Sequence, residues 1–308
     1  MVIGIPRALL YYRYNTLWES FFHELGFQTV TSGITNQSIL EQGRIFVVDE
    51  ACLSMKIFMG HVASLIEKCD YLFIPRIESL DPHEKVCTNF MALYDLIHNL
   101  FPDVALLSYN IDVKHHDGEL LAFLNLGKQL GKSKLEVLRA YQKAKEIEEQ
   151  KHLNLIDYQK VLLKQDQLKI LLVGHAYNLH DKLIGGPISD YLKKEQVCVL
   201  YSDRYDRNRT DEDVDHLSKD IYWTFNREVL ASLWYHHKKV DGIILVTTFP
   251  CGPDSLANEM CLRKIKDVPI TNIIIDELNS EAGLITRLES FIDIIKERKA
   301  SHYETRSR

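Results

Sequence analysis

The chain has 308 residues, with 37 Lys and Arg against 43 Asp and Glu and a formal net charge of −6. Its 46% hydrophobic and 26% charged residues are typical of a globular protein, and the length is sufficient for two domains. The acidic balance argues against nucleic-acid binding, and no apolar run approaches the roughly 18 residues of a membrane span. The first residues do not resemble a signal peptide. We therefore expect a soluble cytoplasmic protein that binds neither nucleic acid nor membrane.

Short apolar runs alternate with helical patterns, which predicts an α/β fold of two Rossmann-like open parallel-sheet domains. The N-terminal domain, residues 1–115, has predicted strands at 2–5, 28–31, 44–48, 71–74 and 105–109, and predicted helices at 9–26, 56–68 and 90–100. The C-terminal domain, residues 167–300, has predicted strands at 169–174, 197–201, 242–246 and 270–275, and predicted helices at 188–194, 226–237 and 284–298. We expect a cleft between the two domains.

The stretch between the two domains, residues 116–166, is rich in Leu, Lys, Glu and Gln and contains no Pro. This composition predicts a helical connector with one polar face. The last residues, 301–308, are polar and are predicted to form a frayed tail.

Six cysteines occur without any CxxC spacing, which argues against zinc ribbons and local ferredoxin motifs. Three cysteines each fall in a loop that leads into a predicted helix, on the side where strands end: Cys52, Cys87 and Cys251. Thiolates are stabilised at helix N-termini, so this placement suits metal ligation. Cys69, Cys198 and Cys261 instead fall in or beside predicted elements and are expected to be small packing residues.

Soft thiolate ligands favour an iron–sulfur cluster, with zinc as an alternative and simple packing as a further one. Three ligands to a four-iron cluster would leave one iron open for chemistry. The segment Cys251-Gly-Pro-Asp-Ser255 supports this interpretation, because Pro253 suits a first helical turn and Asp254 suits its positive end. No sequence rule pairs a histidine with Cys251, so a thiol protease is disfavoured.

Two further loops follow the first strand of each domain, Gly4-Ile-Pro-Arg7 and Gly174-His-Ala-Tyr-Asn178. Neither matches a dinucleotide fingerprint or a P-loop. Arg7 is a candidate for binding a phosphate or carboxylate, or else a solvated or ion-paired residue. His61 is either a packed histidine or a donor beside a cluster.

Several short motifs stand in an order that resembles a known family. They are Gly4-Ile-Pro-Arg7, residues 18–26, Cys52-x3-Lys56 with Gly60-His61, residues 70–75, Tyr222-Trp223, Phe249-x-Cys251-Gly-Pro-Asp-Ser255 and the segment 276–289. Together they resemble the acyl-CoA dehydratase activase-related family, which belongs with the 2-hydroxyacyl-CoA dehydratase subunits and the double-cubane cluster proteins. The resemblance extends from Gly4 to about Arg298.

This resemblance implies a [4Fe–4S] cluster, or a double cubane if clusters are shared or paired, bound by Cys52, Cys87 and Cys251. It also implies an ATP-hydrolysing iron–sulfur activator as electron donor, acting in trans, and a small-molecule or acyl-CoA substrate. Relatives form dimers, which implies a homodimer or heterodimer here. Two positions depart from the family pattern: Thr88 replaces the usual Pro after Cys87, and His175-Ala-Tyr177 replaces a basic-Pro-Tyr sequence.

Three functions follow as hypotheses. The first is a low-potential reductase or dehydratase-like component fed by the activator. The second is a non-catalytic electron carrier or cluster-holding partner. The third is a zinc-bound or metal-free binding module that has kept the fold without the cluster.

Overall fold

The computed structural model describes residues 1–278 and 281–306. The chain divides into two compact units. The first comprises residues 1–155 together with Tyr222–Phe225, and the second comprises Ile156–Ile221 and residues 226–308. Each unit contains one four-stranded sheet whose strands are all parallel. The predicted α/β fold with two Rossmann-like parallel sheets is therefore confirmed.

The first unit follows a strand–helix alternation. Its elements are β1 (Val2–Ile5), α1 (Tyr11–Glu24), β2 (Gln28–Thr31), α2 (Gln37–Arg44), α3 (Leu53–Ala63), β3 (Tyr71–Ser79), α4 (Thr88–Leu100), β4 (Leu106–Asp112), α5 (Glu119–Gln129) and α6 (Lys134–Leu163), which continues into the second unit. The strand order is β2-β1-β3-β4. Strands β2 and β3 therefore lie on opposite sides of β1, and in such sheets ligands bind beyond the carboxyl ends of the strands at this switch point.

The core of the first unit is aromatic. Trp18 on α1 lies against Phe73 of β3 with ring centroids 5.0 Å apart, and both side chains are almost fully buried. The ring centroids of Phe123 on α5 and Tyr109 of β4 lie 5.0 Å apart. Helix α5 and the first part of α6, which occupy the predicted connector at 116–166, therefore belong to the first unit as far as Leu155.

The prediction of a strand at residues 44–48 is wrong. Residues 37–44 form α2, because the Asn36 side chain caps the helix by accepting a hydrogen bond from the Ile39 backbone N–H at 3.1 Å. A turn follows, in which Ile45 is 78% exposed and Val48 is 69% exposed. A short apolar run does not by itself distinguish a buried strand from residues that follow a helix, and here the run lies exposed after the end of α2.

Strand β3 is longer than predicted, since it continues through Pro75 to Ser79. Proline normally interrupts a central strand because it lacks an N–H to donate. Here β1 pairs with β3 only at Tyr71 and Leu72, whereas Pro75 pairs in register with Tyr109 of β4. The Leu72 N–H donates toward β4, so alternation directs the Pro75 nitrogen to the side that β1 no longer covers. The missing donor therefore removes no ladder hydrogen bond.

Helices α2 and α3 touch backbone to backbone through two glycines. A Cβ atom at Gly60 would lie 1.8 Å from the Ile39 carbonyl oxygen, and one at Gly43 would lie 1.8 Å from the Lys56 carbonyl oxygen. Neither backbone oxygen can move without shifting a helix. The contact therefore fixes α3, whose N-terminus carries Cys52.

We expect Gly60→Ala to lower the free energy of unfolding by about 3 kcal/mol, the upper part of the range for overpacked sites, because the methyl group meets backbone and not a flexible side chain. Chemical denaturation followed by circular dichroism measures the change. Gly33→Ala is the matched control, because Gly33 is exposed with nothing within 4 Å of a Cβ. Equal stabilities of the two variants would contradict the close approach.

The second unit repeats the same topology. Its elements after α6 are β5 (Lys169–Val173), α7 (Ala176–Leu179), α8 (Gly185–Lys194), β6 (Cys198–Tyr201), α9 (Thr210–Val214), α10 (Thr224–His236, which begins in the first unit), β7 (Gly242–Thr248), α11 (Gly252–Lys264), β8 (Ile270–Ile275) and α12 (Glu281–Arg306). The strand order is β6-β5-β7-β8, with the switch point between β5 and β7. Helix α12 continues through the predicted tail to Arg306, and residues 307 and 308 lie outside the described residues.

In the described ranges, none of the helices is both long enough and apolar enough to cross a membrane.

Candidate functional site

The three cysteines singled out by sequence all occupy the same kind of position. Cys52 is the N-cap residue of α3, Cys87 that of α4 and Cys251 that of α11. Each is partly exposed. None of the three helices receives a side-chain capping hydrogen bond from its N-cap residue. The electrostatics of a helix N-terminus favour the thiolate form, which is the form that binds metals.

Cys52 and Cys87 belong to the first unit and are connected through one side chain. The amide of Asn89, two residues after Cys87 in the first turn of α4, donates to the Sγ atom of Cys52 over 3.7 Å. This N–H···S contact ties the start of α4 to the cysteine that begins α3. An amide donor also stabilises negative charge on sulfur. Sequence reasoning did not identify Asn89, because the contact joins residues 37 positions apart.

Lys56 supplies a positive charge on the same helix as Cys52. It stands four residues later, so the two side chains share one face of α3. Lys56 is only 5% exposed, and its ammonium group donates to the Asp49 carbonyl oxygen at 2.8 Å. Lys56 therefore places a buried positive charge near the start of α3, four residues after Cys52.

Cys251 belongs to the second unit and follows β7, one of the two strands at the switch point. Pro253 lies in the first turn of α11 and Asp254 follows it, as the sequence predicted. The Asp254 carboxylate points inward. It accepts hydrogen bonds from His175 Nε2, Asn226 Nδ2 and Thr247 Oγ1, each at 2.8 Å.

This network around Asp254 is buried throughout, since its four members are between 3% and 7% exposed. Burial alone would raise the pKa of Asp254, but the adjacent His175 and the hydrogen bonds outweigh it and lower the pKa to about 2. Asp254 is therefore ionised at neutral pH. It anchors the first turn of α11, and so Cys251, to the loop after β5 through His175 and to the end of β7 through Thr247.

The other three cysteines fit the packing role predicted for them. Cys261 is 1% exposed in α11, and desolvation raises its pKa to about 12. Desolvation also raises the pKa of Cys198, at the start of β6, and that of Cys69, whose Sγ atom would lie 2.6 Å from a Cβ at Gly4. All three thiols stay protonated at neutral pH, which disfavours metal binding.

Neither unit by itself gathers three or more His, Cys, Asp and Glu side chains into a group able to hold a metal ion, in the parts of the chain that the structure describes. The predicted ligand set is divided between the units, with Cys52 and Cys87 in one and Cys251 in the other. The assignment of these cysteines as cluster ligands stays a prediction.

Two cavities lie away from the cysteines. One in the first unit has a volume of only about 10 Å³, is lined mainly by apolar residues such as Trp18 and Phe73, and is too small for an organic ligand. One in the second unit, of about 170 Å³, lies at the amino ends of β7 and β8 beside Asp241 and Pro269. Ligands of parallel α/β sheets bind at the opposite, carboxyl ends, so the second cavity is not the expected site, and the first is excluded by its volume.

Residues 2–204, about two thirds of the chain, match the family model described as the CoA enzyme activase uncharacterised domain. No curated protein matches the chain.

Two solved structures show only distant similarity. One is the SBP FpvC from P. aeruginosa in complex with Ni²⁺, with 11% sequence identity, 97% coverage of each chain and a TM-score of 0.30. The other is UDP-GlcNAc 2-epimerase from Methanocaldococcus jannaschii, with 12% identity, 96% coverage of this chain, 92% of the other and a TM-score of 0.23.

Proposed function

The chain belongs to the CoA enzyme activase uncharacterised domain family, and from this membership we propose that it is an iron–sulfur protein that works with an ATP-hydrolysing activator. In this proposal Cys52, Cys87 and Cys251 bind a [4Fe–4S] cluster. The observation that carries the proposal is the repeated placement of these three cysteines as N-cap residues.

The residues around these cysteines suit an anionic cluster. Asn89 donates to the Cys52 sulfur, and Lys56 places a buried ammonium on the same face of α3. Hydrogen bonds and positive charge near thiolate ligands stabilise the negative charge of a bound cluster. A cluster held by Cys52, Cys87 and Cys251 would supply one-electron chemistry for the reduction of a small molecule or an acyl-CoA thioester, with the activator as electron donor. The protein is then the reductase or dehydratase-like component of a two-protein system.

The Asp254 network holds the third cysteine. Because Asp254 bonds to His175, Asn226 and Thr247, the first turn of α11 is fixed to the switch point of the second sheet. A cysteine on a rigid turn loses little conformational entropy when it binds a metal. In this account His175 acts as a positioning residue through Asp254.

Anaerobic purification of cysteine variants tests the ligand assignment. We expect Cys52→Ala, Cys87→Ala and Cys251→Ala each to lose most of the iron and acid-labile sulfide of the wild-type protein, because a missing thiolate opens the cluster to solvent. Cys198→Ala and Cys261→Ala are matched controls at buried thiols and should keep wild-type iron content. Unchanged iron in all three ligand variants would contradict the assignment.

A second candidate is a binding module without a cluster. The observation that favours it is that neither unit alone gathers three metal-binding side chains among the residues described. It predicts protein that stays colourless after anaerobic reconstitution with iron and sulfide. The carrier hypothesis predicts a bound cluster without catalysis. A saturable spectral change of the cluster on adding acyl-CoA would exclude it.

A further inference from the structure

Arg7 stands at the switch point of the first sheet without a charged partner. It follows the end of β1 by two residues, where β2 and β3 lie on opposite sides of β1. Among the described residues, no carboxylate lies within ion-pair distance of Arg7, and its buried Nε atom has no hydrogen-bond partner. Its terminal nitrogen lies 3.5 Å from the hydroxyl oxygen of Thr31, and the guanidinium also interacts with the Tyr11 side chain. A partly buried guanidinium without an anion is costly unless a ligand supplies one.

The surroundings of Arg7 hold it in place. The Ser32 hydroxyl accepts a hydrogen bond from the Arg7 backbone N–H at 2.8 Å, and the guanidinium carbon lies 5.8 Å from the centre of the Tyr11 ring. The carboxylate of Glu19 accepts a hydrogen bond from the Tyr11 hydroxyl at 3.1 Å, and the Arg7 guanidinium interacts with the same Tyr11 side chain. The loop thus presents a fixed cation among hydroxyl groups.

His61 adds a second unsatisfied group nearby. Its ring is completely buried, Nε2 lies 2.9 Å from the Thr35 hydroxyl oxygen, and Nδ1 has no hydrogen-bond partner. Burial, and to a smaller extent the positive charge of Arg7, lower the pKa of His61 to about 4. The imidazole is therefore uncharged at neutral pH, and the pKa of His61 depends on the charge near Arg7.

We propose that Arg7 binds the carboxylate or phosphate group of a small anionic ligand at the carboxyl end of β1. A guanidinium recognises both groups through the same paired N–H donors. This site goes beyond the iron–sulfur proposal and does not depend on it, because none of its residues is a predicted cluster ligand.

The test is an NMR and thermal-unfolding titration of the full chain with sodium phosphate and, separately, with sodium succinate, at constant ionic strength set with chloride. We expect at least one of the two anions to raise the melting temperature saturably and to raise the pKa of His61, since the anion offsets the charge of Arg7. A response to phosphate alone identifies a phosphate ligand, and a response to succinate alone identifies a carboxylate ligand. No saturable response to either anion would overturn the proposal.

Variants separate binding from a structural role. We expect Arg7→Gln to weaken the anion response at least tenfold and to raise the pKa of His61 even without anion. Arg7→Lys, which keeps the charge without the paired donors, should bind with intermediate affinity and remains informative if Arg7→Gln fails to fold. Arg263→Gln, at a side chain that is 77% exposed, is the control and should bind as the wild type does. Equal responses in wild type and Arg7→Gln would also overturn the proposal. Iron content measured on the same samples reports on the cluster separately.

Discussion

Replacing Asp254 with Ala is expected to lower the free energy of unfolding by about 3–5 kcal/mol, because each buried hydrogen-bond donor left without an acceptor costs about 1–3 kcal/mol. The substitution leaves His175 Nε2, Asn226 Nδ2 and Thr247 Oγ1 without their shared acceptor in a buried environment. Urea denaturation at pH 7 measures the loss. Because α11 begins beside this network, we also expect Asp254→Ala to reduce iron content at unchanged cysteines.

The matched control for Asp254 is an exposed carboxylate. Asp190 is 59% exposed and lies 3.4 Å from the Lys182 ammonium group. Asp190→Ala should change stability by less than about 1 kcal/mol, as for other surface ion pairs. If Asp254→Ala lowered the free energy of unfolding no more than Asp190→Ala does, the buried network would contribute little to stability.

The second large effect is a loss of stability in mild acid. His61 and His236 are at most 3% exposed, and burial is the main cause that lowers the pKa of each to about 4. The unfolded chain binds these protons near pH 6.5, so the stabilisation is complete above that pH and is lost as the pH falls toward 4. Each histidine accounts for about 3 kcal/mol over this window.

Variants isolate this acid effect. Gln can keep a hydrogen bond to Thr35 but does not titrate, so His61→Gln should flatten the fall in melting temperature between pH 6.5 and 4.5. His23→Gln is the control, because the His23 side chain is 86% exposed, and it should keep the wild-type slope. If the melting temperatures of the wild type, His61→Gln and His23→Gln fell equally as the pH is lowered, His61 would not control the acid transition.

Strand–helix alternation was sufficient to predict the two sheets, and the loop positions of Cys52, Cys87 and Cys251 were sufficient to predict their place at helix N-termini. Both features depend on which residues are neighbours in the sequence. Hydrophobic periodicity and turn residues therefore indicate them directly. The prediction of a strand at 44–48 was wrong because α2 ends at Arg44 and the apolar residues after it, such as Ile45 and Val48, lie exposed in a turn, which a short apolar run does not reveal.

The contacts that organise the candidate site could not be predicted in the same way. Asn89 and Cys52 are 37 residues apart, and His175 and Asp254 are 79 residues apart. The backbone contact between α2 and α3 likewise depends on two glycines that meet only after folding. Such pairings are set by tertiary packing, which the residue order of a single chain does not reveal.

The central claim is that this chain carries an iron–sulfur cluster on Cys52, Cys87 and Cys251. Iron and acid-labile sulfide determination on protein purified and reconstituted without oxygen tests it most directly, together with an EPR spectrum of the dithionite-reduced sample. The account predicts brown protein with about four iron and four sulfide per bound [4Fe–4S] cluster and an EPR signal from the reduced cluster. Folded, colourless protein without iron after reconstitution would contradict it.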